Sequence, residues 1–371
     1  MRKGEEEHPF DIEILKFRVM TTVVSQCAGI DCAKKDFWVT FSTCDSERTI
    51  DHRSTHRFLM NDAGLKAFIK WIGKLRDNAI PFSLVLEATG VYHEKLLNLL
   101  YDLGYKVVVV HPKRAKDFSK TVHVKKVTDR IASKYLATMG LEKKLQPWVK
   151  PEKVYRDLKV LTRESSKLQE KISVVKNELE AEEYRQEENN RTVKRLNAEL
   201  KLLKKQKAEV LTEIKEMING SDFLRSKAEK IMSIKGIGIV TTATVIAETD
   251  GFAQVRNKRQ LVSYAGYDVM NQESGTSVNT PSRISKRGNR RIRKAMHMAA
   301  LSSIKHGENK ELFVRIVSKT GIKMKGVVAA QRKLLVLMYI LWKTDKPYDP
   351  NYMAKKRGDI MSPEELDLVR S

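Results

Sequence analysis

The chain has 371 residues, 41% of them apolar, which is enough for ordinary cores and too many for a disordered tail protein. Lysine and arginine number 70 against 46 acids, and a net charge of +24 repels itself unless a polyanion, usually nucleic acid, balances it. A membrane surface would also attract such charge, but apolar runs such as VLMYIL are too short to span a bilayer, and the N-terminal MRKGEEEHPFDIEILKF lacks a secretory apolar stretch.

Residues 1–22 read as an N-terminal extension. From 23 to 150, strands and helices alternate. VVSQCAGID and DFWVTFST read as strands joined by the short turn CAKK, and ERTIDHRS as a weaker third. NDAGLKAFIKWIGKL begins with an Asn–Asp cap and spaces its apolar residues helically. PFSLVLEATG is a buried strand, VYHEKLLNLLYDLG a helix closed by glycine, and YKVVVVHP another buried strand. Three strands, helix, strand, helix, strand is the order of a ribonuclease-H-like α/β fold, although other α/β layouts fit the same string. Cys27, Cys32 and Cys44 are odd in number and lack metal-ligand spacing, so they read as reduced thiols of a cytoplasmic protein.

Residues 151–220 change in character. No glycine or proline interrupts Glu152 to Asn219. Val154, Leu158, Leu161, Leu168, Ile172, Val175 and Leu179 follow a four–three spacing, as do Val193, Leu196, Leu200, Leu203, Val210, Ile214 and Met217. That is a heptad seam, hence a coiled coil. Glu182, Gln186 and Asn189 put polar groups on the seam at its middle, as the tip of an antiparallel hairpin or a weak patch in one long helix would; the hairpin is preferred. Either form is a spacer or a means of oligomerisation.

Residues 221–346 read as mainly helical, and 347–371 as a tail. IMSIKGIGIVTTATVIAET sets a glycine turn between apolar helical stretches, like a helix–hairpin–helix whose turn, with Lys235, can approach a phosphate; a plain helix-joining turn fits equally. Further on, Arg283, Lys286, Arg287, Arg290, Arg291, Arg293 and Lys294 crowd together, with no acid from Ser274 through Gly307. A solvated helix face would intersperse glutamates, so this stretch reads as a phosphate-contact surface for DNA or RNA. A second basic run, Lys113, Arg114, Lys116, Lys120, Lys125 and Lys126, is either a further grip or a solvated loop. Ser274 and Ser277, in front of the first run, are turn residues or a nucleophile aimed at phosphate. His297, the nearest histidine, falls on a helix and suits packing or phosphate contact better than base catalysis.

Asp31 ends the first strand, Glu87 the fourth, and Asp129 opens a helix after the last. Each alone is an ordinary strand-end or capping acid. Three converging carboxylates repel one another unless a divalent cation neutralises them, and hard oxygen ligands select Mg²⁺, with Mn²⁺ as a substitute.

The strings GIDCAKKDFWVTF, NDAGLKAFIKWI, LEATGVYHEKLLNLL, VVVVHPKRAKDFSK and TDRIASKYLA resemble, in order, the DEDD transposases of insertion sequences, the IS-one-ten type. IKGIGIVTTATVIAETDGF, QLVSYAGYDV, SGTS and RISKRGNRRIRKAMHMAAL resemble that family's C-terminal domain, and the likeness runs from near Val23 to near Lys346. The resemblance implies a RuvC-like N-terminal domain, a coiled-coil insertion and a mainly helical C-terminal transposase domain with a catalytic serine. It implies recombination of donor and target DNA directed by a structured guide (bridge) RNA, in a homo-oligomer (dimer or tetramer) in the bacterial cytoplasm near the nucleoid. On the motif match, Asp31, Glu87 and Asp129 take the first three acidic positions, and Ser274, which precedes glycine, takes the nucleophile's place. Ser277 stands at a more variable position. The family pattern T-D-x-x-D-A-x-x-L-A is broken here: Ala132 stands where the fourth acid is expected. A nuclease using water, or a non-catalytic nucleic-acid-binding assembly protein, remain the alternatives.

Overall fold

The computed structural model describes residues 22–88, 90–122, 128–185, 191–274, 278–307 and 309–352. The expected N-terminal extension and tail therefore lie almost wholly outside the described residues, as do Ser277, Lys125, Lys126, Gln186 and Asn189. The chain divides into two compact units, Met1–Lys150 and Pro151–Ser371.

The first unit is built on one sheet: β1 (Val23–Cys32), β2 (Asp36–Asp45), β3 (Ile50–Leu59), β4 (Phe82–Glu87) and β5 (Val107–Val110). The strand order is β3-β2-β1-β4-β5. The first three strands are an antiparallel meander, whereas β4 and β5 run parallel to β1. This is the ribonuclease-H-like arrangement. β3 reaches further than ERTIDHRS suggests; Arg53 to Arg57 alternate too weakly to announce a strand, as an edge strand permits.

Strand periodicity distributes the core. Ala28, Ile30, Leu84 and Leu86 pack on one face with Phe68, Ile72, Leu96 and Leu100 from helices α1 (Asp62–Leu75) and α2 (Glu94–Asp102). The intervening Cys27 and Val85 face the other way, towards α3 (Pro112–Thr121) and α4 (Asp129–Glu142), where they meet Phe118, Leu136 and Met139. A sheet covered on both faces leaves the ends of its strands as the places where polar groups can gather. The three cysteines are buried free thiols.

In the second unit α5 (Lys153–Tyr184) and α6 (Arg191–Asn219) lie side by side, and the seam positions Leu158, Leu168, Ile172, Val175, Leu200, Leu203, Val210 and Ile214 are all buried between them. Lys207 bonds Gln169, a pairing of positions equidistant from the break, so the two helices form the antiparallel hairpin rather than one long helix. Its foot packs on Ala243 and Ala247 of α8 (Ile239–Glu248), which follows α7 (Asp222–Met232) across the glycine turn. α9 (Lys258–Ala265), α10 (Arg290–Lys305), α11 (Lys310–Thr320) and α12 (Lys323–Thr344) complete the helical body around Leu334, Leu335, Met338 and Trp342.

The segment between α9 and α10 departs from the mainly helical expectation. It is an antiparallel ribbon of β6 (Val269–Ser274) and β7 (Val278–Ile284).

No helix among the described residues is long and apolar enough to cross a membrane.

Candidate functional site

The acid cluster follows from strand register. Ile30 pairs with Leu86 across the parallel β1–β4 contact, so the next residues, Asp31 and Glu87, stand side by side where the two strands leave the sheet. Glu87 also pairs with Val110, which brings His111 to the same edge. Asp129 is delivered from the side. Thr128 caps α4 by accepting from the Ile131 amide, and Asp129 is the first residue of that helix.

What lets α4 lie flat on β1 is a glycine. A Cβ at Gly29 would come within 2.1 Å of the Ser133 carbonyl oxygen and 2.2 Å of the Ala137 nitrogen, so no other residue fits between strand and helix. The Ser133 hydroxyl then bonds Thr40 on β2 at 2.7 Å, which fixes the helix lengthwise.

Asp31 senses both of the other acids. Burial first, then the charges of Asp129 and Glu87, push the half-buried Asp31 up to about 7. Burial also raises Glu87, against the lowering influence of His111 and of a hydrogen bond with Tyr135. Tyr135, pushed up to about 12 by burial and by the two acids, stays a neutral donor to Glu87. Among the described residues, no three His, Cys, Asp or Glu side chains are gathered closely enough to enclose one ion. The carboxylates are therefore coupled through their charge without closing on one point. Their donor chemistry still fits a hard cation that keeps several of its waters.

Ala132, where the fourth acid is expected, is 3% exposed and packs among Cys27, Val85, Val110 and Tyr135. The position is a buried wall beside the acids. Tyr135 is the residue that sequence reasoning missed here. Its spacing of one turn from Ala132 was the available signal, but an aromatic on a helix usually means core.

The second constellation lies in the other unit. Ser274 is the last residue of β6 and pairs with Val278, the first of β7. The ribbon's return strand leads through Arg283 to a tight turn. Ser285 donates to Asp268 at 2.7 Å and accepts from the Arg287 amide, and Lys286 takes a left-handed φ of 53°. Gly288 lies so close to Gly266 that a Cβ would meet its nitrogen at 2.4 Å. Asn289 then caps α10 by accepting from the amides of Arg291 and Ile292.

Arg283, Lys286, Arg287, Arg290, Arg291 and Lys294 are exposed around this helix start, whose dipole adds to the positive field. Arg293 differs from its neighbours: its Nη1 donates to the Ala265 and Gly288 carbonyls and so knits the turn together. Lys294 bonds Glu170 and Ser166 of α5. His297 is held by Gln331, which also accepts from Tyr267, and so belongs to the packing. Lys235 is exposed on the turn before α8, where Gly236 has a φ of 91°. Of the second basic run, Lys113, Arg114, Lys116 and Lys120 are exposed on α3.

Two family models match the chain: DEDD_Tnp_IS110, a transposase, over residues 28–182, and the transposase IS116/IS110/IS902 family over residues 228–315. The pilin gene-inverting protein of Moraxella bovis is 25% identical over 324 residues, which are 86% of this chain and 97% of that one. Among solved structures, the fowlpox virus Holliday junction resolvase is similar over 32% of this chain and 98% of its own, with 17% identity and a TM-score of 0.25. T. thermophilus RuvC, in complex with a Holliday junction substrate, is similar over 33% of this chain and 99% of its own, with 10% identity and a TM-score of 0.25. The fold rests on the strand order described above, not on these two likenesses. The first family model spans Asp31, Glu87 and Asp129, the second spans Ser274 and the basic helix start, and the Moraxella relative runs through both. The chain belongs to the IS110-type DEDD transposases.

Proposed function

We propose that the protein cuts and rejoins DNA through a covalent phosphoserine linkage formed by Ser274. The observation that carries the reading is the placement of Asp31 and Glu87 on adjacent strand ends, coupled in charge to Asp129. Coupled acids of this kind are what a divalent cation requires, and Asp31, Glu87 and Asp129 are the residues to hold Mg²⁺. When bound, the ion supplies charge neutralisation on phosphate oxygens.

The remaining chemistry belongs to the chain's own side chains. The Ser274 hydroxyl forms a P–O bond to the scissile phosphate as the bond to the strand's own oxygen breaks, and the proton the serine loses is balanced by the one the departing oxygen takes up to leave as a hydroxyl. The phosphodiester's energy is thereby kept for rejoining to another strand. Arg283, Lys286, Arg287, Arg290 and Arg291 neutralise phosphates and stabilise charge on the attacked group. Serine is a weak nucleophile without such help, and the acids lack a nucleophile of their own; each set of residues is incomplete without the other. Guidance by a structured RNA and assembly as a dimer or tetramer are further parts of the proposal, supported by the family likeness. The coiled-coil hairpin offers a surface for that assembly.

The deciding experiment is trapping of the adduct. The protein is incubated with magnesium, RNA from the element's flank and labelled donor DNA, then denatured and examined for label on the protein. Label is expected on the wild type and on Ser274's neighbour variant Ser277→Ala, and should vanish in Ser274→Ala and in Asp31→Ala. Cleavage without an adduct would make water the nucleophile. DNA binding with neither cleavage nor adduct would leave an assembly protein that has lost its chemistry with the fourth acid.

A further inference from the structure

α8 ends in a buried carboxylate that neither the acid cluster nor the serine uses. Glu248 is 3% exposed, and three side chains converge on it. Arg163 of α5 donates from Nε to Oε1 at 2.8 Å and from Nη2 to Oε2 at 3.1 Å. Asn289, the cap of α10, donates from Nδ2 to Oε2 at 2.8 Å. The Nε of Arg291 stands 3.8 Å from Oε1, the oxygen that Arg163 already holds.

A two-pronged guanidinium is the geometry that compensates a carboxylate removed from water. Burial pulls Glu248 upward, yet its bonds with Arg163 and Asn289 bring it below the usual carboxylate range, so it is an anion. At 3.8 Å, Arg291 is within ion-pair range but beyond a hydrogen bond, and its side chain is 49% exposed on the basic face of α10. One carboxylate oxygen therefore has two claimants, one from the coiled coil and one from the basic helix start.

We propose that Arg163 and Arg291 compete for Glu248, so that α5, by supplying Arg163, leaves Arg291 available to DNA phosphate. With Arg163 withdrawn, the buried anion loses its closest cation and draws Arg291 inward. One charge is then subtracted from the phosphate-contact surface. The same helix touches this surface a second time through Glu170 and Lys294, so α5 meets the basic face at two points. Arg163 and Glu248 are positioning residues in this scheme: they touch no phosphate and decide how many cations face it. The inference rests on the reading of the α10 start as a phosphate-contact surface.

The test is the salt dependence of binding to a short fluorescein-labelled DNA duplex, measured on the full chain. Each phosphate contact contributes about 0.9 to the slope of log affinity against log salt. Arg163→Met should flatten the slope by about one contact, as Arg291→Ala does. In the double variant Arg163→Met/Glu248→Gln the competing anion is gone, Arg291 is released, and the slope should return to the wild-type value.

A purely structural role for Arg163 predicts the opposite, a double variant no better than the single one, and that result would overturn the proposal. Should Arg163→Met fail to fold, Arg163→Gln, which keeps a hydrogen-bond donor but not the charge, takes its place in both the single and the double variant, and the same two outcomes decide. The two levels are separable. If Arg291→Ala flattens the slope and Arg163→Met does not, the competition fails and the phosphate surface stands. If Arg291→Ala changes nothing, the surface reading fails and takes the competition with it.

Discussion

Asp31 carries a sign that can be checked. Its folded pKa, about 7, lies above the ordinary carboxylate range, so protonation favours the folded state. This penalty on the fold is absent at low pH, grows as pH rises from the ordinary carboxylate range, and is complete above about 7. Metal-free protein should therefore lose a few degrees of Tm from this source across that window, less any solvent screening of a half-buried group. Asp31→Asn should flatten the loss. Magnesium should raise the wild-type Tm above neutrality and leave Asp31→Asn unchanged; a thermal melt series with and without the ion reads both. Ala132 gives the converse experiment. Because the residue is 3% exposed, Ala132→Asp places a carboxylate in a packed wall beside three acids. We expect a cost of about 3 kcal/mol in metal-free denaturant melts, with magnesium recovering more of it than it adds to wild type. No recovery would remove position 132 from the metal-binding neighbourhood.

At the scale of elements, α4 is the part whose position matters most, since it brings Asp129 to the sheet. Gly29→Ala drives a methyl into backbone atoms of Ser133 and Ala137, which cannot rotate away, so the helix must lift from β1. A loss of about 3 kcal/mol is expected, together with loss of adduct formation. Gly73→Ala in α1 is the control: nothing lies within 4 Å of its Cβ, and the change should stabilise by about 1 kcal/mol. These elements were largely readable in advance. Alternation in VVSQCAGID and SLVLE, and the four–three seam from Leu158 to Ile214, are local signals whose period survives in the sequence. Asp31 and Glu87 were readable as neighbours because both end strands of one sheet. Three features were not. The β6–β7 ribbon runs through VMNQESGTSVNTPSRI, which lacks apolar alternation and contains Pro281. Tyr135 resembles any core aromatic until Glu87 is placed against it. The cluster around Glu248 joins residues 85 and 41 positions away, and a seam read only for its apolar positions passes over Arg163.

For the whole molecule, the net charge of +24 makes opposite demands on the free and bound states. Free in solution, the chain repels itself, and added salt screens that repulsion within roughly 10 Å at 0.1 M. Bound to DNA, the same cations displace counterions, and added salt competes with them. Stability and affinity should therefore respond to salt with opposite signs: the Tm of the free protein rises while DNA affinity falls. If Arg283, Lys286, Arg287, Arg290, Arg291 and Lys294 all reach phosphate, the fall is about a thousandfold between 50 and 200 mM salt. Replacing Arg287 and Arg290 by glutamine should flatten the slope by about two contacts and weaken all sequences alike, because phosphate contacts carry no base information. Replacing Lys113 and Lys116 on α3 in the same way separates the two basic surfaces. An equal flattening there would make the acid-bearing unit a DNA grip in its own right, and an unchanged slope would leave the α10 start as the principal one.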